Sequence, residues 1–185
     1  MTIPLTERHR RTRHRRAVRY WCVLLAMYLS LTLGAELRPP EWLHYGALFV
    51  HLGSVIVGLG AAVLLEICGL LWIRGRSTLG DLRRIEPTVT GLAWLGIAGL
   101  LASGAFLEPD LAEPLTALKM LAVLIVALNG VAMTRLTGAL GRLPAHVEFV
   151  RLPTRVQLWC LWSALVSQAG WWTAVIVGMM NTASH

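Results

Sequence analysis

Apolar residues along this chain gather into long runs separated by short polar segments. A helix needs roughly 20 mostly apolar residues to cross a hydrocarbon core about 30 Å thick. Five runs meet that requirement: Tyr20 to Ala35, Leu43 to Ile73, Val89 to Leu107, Leu115 to Thr134 and Val156 to Met180. The first is the shortest, and the second is long enough to tilt or to extend past the bilayer. The pattern predicts an all-α polytopic bundle of five transmembrane helices over 20–180. A basic tail over 1–19 precedes it and a short tail over 181–185 follows it. All eight prolines fall outside the runs. Pro87 and Pro114 stand just before helix starts, where a missing N–H costs little. Unbroken helices argue against transporters whose ion sites need unwound backbone in mid-membrane.

The polar segments sort by charge. The tail carries Arg8, Arg10, Arg11, Arg13, Arg15, Arg16 and Arg19. The loop after the second run carries Arg74, Arg76, Arg83 and Arg84, and the loop after the fourth carries Arg135, Arg142, Arg151 and Arg155. Five spans put these segments on one side with 15 of the 17 basic residues, whereas the other side has Arg38 against five carboxylates. The excess of positive charge on cytoplasmic segments sets the N-terminus inside and the C-terminus outside, in a bacterial inner membrane. Trp21, Trp72, Trp159 and Trp162 near the inner ends, and Trp42 with Tyr45 near an outer end, suit an interfacial belt. Trp171 and Trp172 lie deeper, where they pack or meet a ligand. A basic start followed by Leu33-Gly34-Ala35 also suits a cleaved signal peptide; the long tail and the bulk of Leu33 favour an anchor.

Composition agrees. The chain is 56% hydrophobic and 15% charged, with a net charge of +7, whereas soluble domains average about 45–50% apolar and about 25% charged. The basicity therefore reports topology and not nucleic-acid binding, which needs a folded basic surface outside the membrane. The arginine-rich tail should meet anionic headgroups.

Ionisable groups within the spans are costly and so are candidates for function. The second span holds His44, His51 and Glu66, and the fourth holds Lys119. At 100° per residue, His44, His51, Gly58, Ala62 and Gly69 fall on one stripe with Glu66 about 60° away, and such a stripe should face protein. His51 and Glu66 are about 22 Å apart along the helix, so they suit two stations of a proton or cation path and not one ion site. Lys119 lies about one turn inside the outer surface, within reach of Glu108, Asp110 or Glu113. Gly99 with Ser103, and Ser163, Ser167, Gly170 and Ala174, form further small-residue faces.

Other chemistries find less. A two-imidazole haem site needs histidines on different helices, and the embedded ones share the second span. Cys22, Cys68 and Cys160 sit at similar depth without metal-ligand spacing, as packing residues do. His44, the outer carboxylates, Met179, Met180 and His185 form a scattered cation-attracting set. No hydrolytic triad, zinc signature or phosphate loop is present, so an enzyme is disfavoured.

The segments HYGALFVHLGSVIVGLG, GLAWLGIAGLLASG and LKMLAVLIVALNGVAMTRL resemble the copper-resistance D-like family of bacterial inner-membrane proteins, over about residues 43–143. In the last segment Lys119, Asn129 and Arg135 match that family's lysine-led helix. The resemblance implies copper passage across the inner membrane, with His44 and His51 as metal ligands and Asn129 on the path. The chain is short and lacks a methionine-rich outer motif. The residues thus lead to a membrane protein handling copper or protons. A haem- or quinone-binding electron-transfer component and a non-catalytic accessory subunit, paired with another membrane protein or with itself, are the alternatives.

Overall fold

A computed structural model describes residues 5–183, with side chains from 14 to 180. It is helical throughout: α1 Leu5–Glu36, α2 Glu41–Ile73, α3 Leu79–Gly104, α4 Pro114–Leu140 and α5 Thr154–Ala183, with a 3-10 turn at Phe149–Arg151 before α5. Each helix is long and apolar enough to span a membrane. The chain thus has the build of a multi-pass membrane protein. The side chains of Arg8, Arg10, Arg11 and Arg13, and His185, lie outside the described residues.

Local chemistry sets the helix ends. Gly75 adopts φ +68°, the left-handed conformation that glycine takes without a Cβ penalty. The Gly75 N–H then bonds the Trp72 carbonyl at 3.0 Å and the Arg76 N–H bonds that of Leu71 at 2.8 Å, a glycine-terminated C-cap that closes α2. Three residues on, the Thr78 hydroxyl accepts from the Asp81 N–H while the Asp81 carboxylate accepts from the Thr78 N–H, a reciprocal capping box. Pro114 occupies the first turn of α4, where proline is tolerated.

Pro87 departs from expectation: it lies inside α3, not ahead of it. The capping box starts the helix nearly three turns earlier than the apolar run suggests. Leu79, fully buried, anchors that early turn, and Pro87 is exposed at the cost of one backbone hydrogen bond.

Packing is pairwise. α2 lies along α3 and α4 lies along α5, and α1 touches both α3 and α4 while α5 also meets α2. The α2–α3 pair is closest at Gly58 and Gly96. A Cβ on Gly96 would stand 2.5 Å from the Gly58 Cα, 2.7 Å from its nitrogen and 2.8 Å from the Ser54 carbonyl oxygen. Gly58 also seats the Trp171 ring of α5. α1 presents Val23, Met27, Ser30 and Gly34 to its neighbours, a spacing of three and four residues that makes one helix face.

At the basic end the segment between α4 and α5 folds over the ends of α2 and α3. The Gly80 N–H donates to the Ala145 carbonyl at 2.9 Å, and Arg83 Nη2 donates to the carbonyls of Leu140 and, at 2.6 Å, Leu143. Trp72 does not join the interfacial belt that its position suggested. It is buried edge-on against Phe149 with its indole N–H on the Val147 carbonyl at 2.9 Å, because this folded segment gives the ring both a cover and an acceptor. Leu79, Leu136, Leu140 and Leu152 complete the cluster. Trp21, Trp42 and Trp162 are exposed as a belt requires. The Trp159 ring carries the Arg135 guanidinium, 5.5 Å from its centroid.

Candidate functional site

The predicted stripe of α2 does face protein. Gly58 and Ala62 are buried and His44, His51, Glu66 and Gly69 are partly so, whereas the opposite side of the helix is open. Two polar groupings lie along it, one towards each end of the bundle.

The first is centred on His51, at the acidic end. Its Nδ1 stands 2.9 Å from the Ser103 hydroxyl of α3. That hydroxyl spends its single proton on the Gly99 carbonyl, 2.6 Å away, so it accepts from the ring. Nδ1 therefore carries the hydrogen and the neutral imidazole keeps its lone pair on Nε2. Ser30 of α1, bonded to the Leu101 carbonyl at 2.6 Å, borders the same space. A Cβ on Gly104 would lie 3.7 Å from the Ser30 hydroxyl and 3.9 Å from the His51 Cε1. Lys119 of α4 is close enough for its charge to act on the His51 ring, and Glu113 acts on Lys119 in turn. The aliphatic stem of Lys119 passes Gly178 of α5. All five helices thus border this grouping.

Glu66 occupies the second. The Gln168 side chain of α5 approaches its carboxyl, and the Trp172 indole N–H holds the Gln168 Oε1 at 2.9 Å. With its oxygen so engaged, the amide turns its NH2 to the carboxyl. The Glu66 Oε1 is buried with no hydrogen-bond partner, an arrangement that needs a reason in a native interior.

The remaining candidates disperse. Asn129 is not beside His51: its Nδ2 donates to the Ser163 carbonyl and its Oδ1 accepts from the Ser163 hydroxyl, both at 2.8 Å. It clasps α4 to α5. His44 is stacked edge-on against Tyr45 at 6.2 Å, one heptad and about 10 Å along α2 from His51. Glu108 pairs with Arg38 at 3.5 Å, and Glu113 is the carboxylate whose charge acts on Lys119. The three cysteines are free thiols, Cys22 exposed and the others half-buried. Among the described residues no three His, Cys, Asp or Glu side chains converge as a metal site would need. Met179 and Met180 are exposed on α5. Of the described tail arginines, Arg15 and Arg19 are exposed and Arg16 is half-buried.

Ser30, Gln168 and Trp172 carry parts of these groupings that the sequence did not single out as such. Ser30 is, with Thr32, one of two small hydroxyls in the apolar run of α1, and it falls seven residues after Val23 on the buried face, which is the signal it offered. Comparison of the chain with protein families, with curated proteins and with solved structures gives no match.

Proposed function

We propose that this multi-pass membrane protein passes a small cation across a bacterial cytoplasmic membrane, and that the proton is the cargo its polar groups suit. The observation that carries the reading is the fixed His51 ring at the acidic end of the bundle: Ser103 accepts from Nδ1–H, which leaves the ring's one lone pair on Nε2. An imidazole held in one tautomer is a proton acceptor with a defined side of attack. Glu66, with its unpartnered oxygen, is the second acceptor along the same buried face. The sorted arginines support a cytoplasmic N-terminus, with the basic end against anionic headgroups.

Copper is the cargo that the family resemblance suggests. A copper ion on its way through would meet one imidazole at a time, because His44 and His51 are about 10 Å apart on one helix. The proton needs one acceptor lone pair at a time and is favoured on that ground.

Proteoliposomes with a trapped pH dye and an imposed potassium diffusion potential test the reading. Wild-type protein should acidify or alkalinise the lumen in the direction of the potential, and His51→Ala and Glu66→Gln should each slow that change about tenfold. Vesicles as proton-tight as protein-free ones would overturn it. Copper(I) uptake without proton movement would reassign the cargo.

A further inference from the structure

α2 has a second face, and the contacts within the chain do not use it. Glycines recur there every seven residues, at Gly46, Gly53 and Gly60, and a Cβ added to any of them would meet nothing within 4 Å. Large apolar residues recur at the same interval between them: Trp42, Phe49 and Ile56, exposed to 74%, 81% and 73%. No other large apolar side chains among the described residues are more exposed. At 100° per residue these six positions fall within about 40° of one line, opposite the stripe that carries Gly58 and Ala62.

Neither the chain's own packing nor lipid accounts for this register. Gly58 and Gly96 are small because the Trp171 ring and a neighbouring backbone press on them; the outer three are under no such pressure. Acyl chains cover Phe or Ile as readily as Leu, but they give no reward for a glycine, which is a weak helix former. Small residues on a membrane helix surface allow another backbone to come close. A seven-residue repeat of small and large positions is the seam of a left-handed helix pair, in which each large side chain enters the hollow between residues of the partner.

We propose that the occupant of this face is a second copy of the chain, α2 against α2, about a two-fold axis along the membrane normal. The face is self-complementary, because it offers knobs and hollows at one common interval. Copies inserted in one bilayer share an orientation, so a two-fold axis along the normal makes the paired helices parallel and keeps them in register. Glycine then meets glycine at the close layers, and Phe49 and Ile56 fill the layers between. From Trp42 to Gly60 the seam is about 27 Å long. At one helix width it covers on the order of 300 Å² per copy, well below the roughly 800 Å² per partner of stable soluble complexes. The dimer is therefore reversible, and its population depends on the protein-to-lipid ratio.

Full-length protein labelled for energy transfer and reconstituted over a range of lipid ratios tests this. Transfer should rise as lipid is withdrawn and fit a monomer–dimer equilibrium. Gly53→Leu, whose Cβ meets nothing within 4 Å in its own chain, should weaken association at least tenfold with unchanged helical content. Phe49→Ala should weaken it by a comparable factor. In a background without Cys22, Cys68 and Cys160, Gly53→Cys should form an intermolecular disulfide and Leu52→Cys, about 100° round the helix, should not. A monomer at every ratio, full association of Gly53→Leu, or cross-linking at position 52 in place of 53 would each overturn the proposal.

Discussion

Replacing Gly96 by alanine adds one methyl group where two helices are closest. The new Cβ would stand 2.5–2.8 Å from Gly58 Cα, Gly58 N and the Ser54 oxygen. All three are backbone atoms of α2, so no side chain can rotate away. Ordinary carbon contacts need about 3.5–4.0 Å, and relief requires α2 and α3 to part locally by about 1 Å. A gap of that size costs a neighbouring pair a quarter to a half of its dispersion energy, and this is the most extensive helix pair in the molecule. Overpacking of cores costs typically 1–3 kcal/mol. With a rigid neighbour the upper part applies, about 2–3 kcal/mol. Alanine's better helix propensity returns up to about 1 kcal/mol, which leaves a net loss of about 1–3 kcal/mol. Reversible unfolding in mixed micelles, followed by far-UV circular dichroism, measures it. Gly91→Ala is the control: its Cβ meets nothing within 4 Å, so stability should hold or rise. A Gly96→Ala protein as stable as Gly91→Ala would refute the close crossing of α2 and α3.

Two further outcomes follow from the polar pairs. Asn129→Ala and Ser163→Ala should each destabilise the bundle by about 0.6–2 kcal/mol, the range for interhelical hydrogen bonds in membranes. A double-mutant cycle should find most of that loss shared, and additive losses would dissolve the clasp. Ser103→Ala removes the acceptor of the His51 Nδ1–H; nitrogen NMR of labelled histidine should then find both tautomers where the wild type has one, and an unchanged single tautomer would show that Ser103 does not orient the ring.

The spans were legible because each is a long apolar run, and the buried face of α2 because its small residues and histidines repeat every seven. Helix ends were less so. α3 begins at Leu79 because Thr78 and Asp81 cap each other, a four-residue signal that the apolar run starting at Val89 outweighed. Pairing of distant residues leaves no local trace: nothing near Glu66 names Gln168, and nothing near Trp72 announces Val147 as its acceptor. Asn129 and His51 resemble one another as polar residues on apolar helices. One is fully paired across a hairpin, and the other keeps a lone pair, a difference set by what stands opposite each.

The segment folded over the basic end has a consequence for how the bundle holds together. α2, with 33 residues, is about 50 Å long and outreaches a hydrocarbon core of about 30 Å. The cluster around Trp72, Leu79 and Phe149 gathers at that end. Inside lipid, helices gain little from hiding apolar surface from one another; in contact with water the same surface is driven together. The protein is then fastened by two different solvents. A denaturant that stays in water, such as urea, should open the fastening at the basic end and leave the five helices inserted, while a harsher detergent should separate them from the other direction.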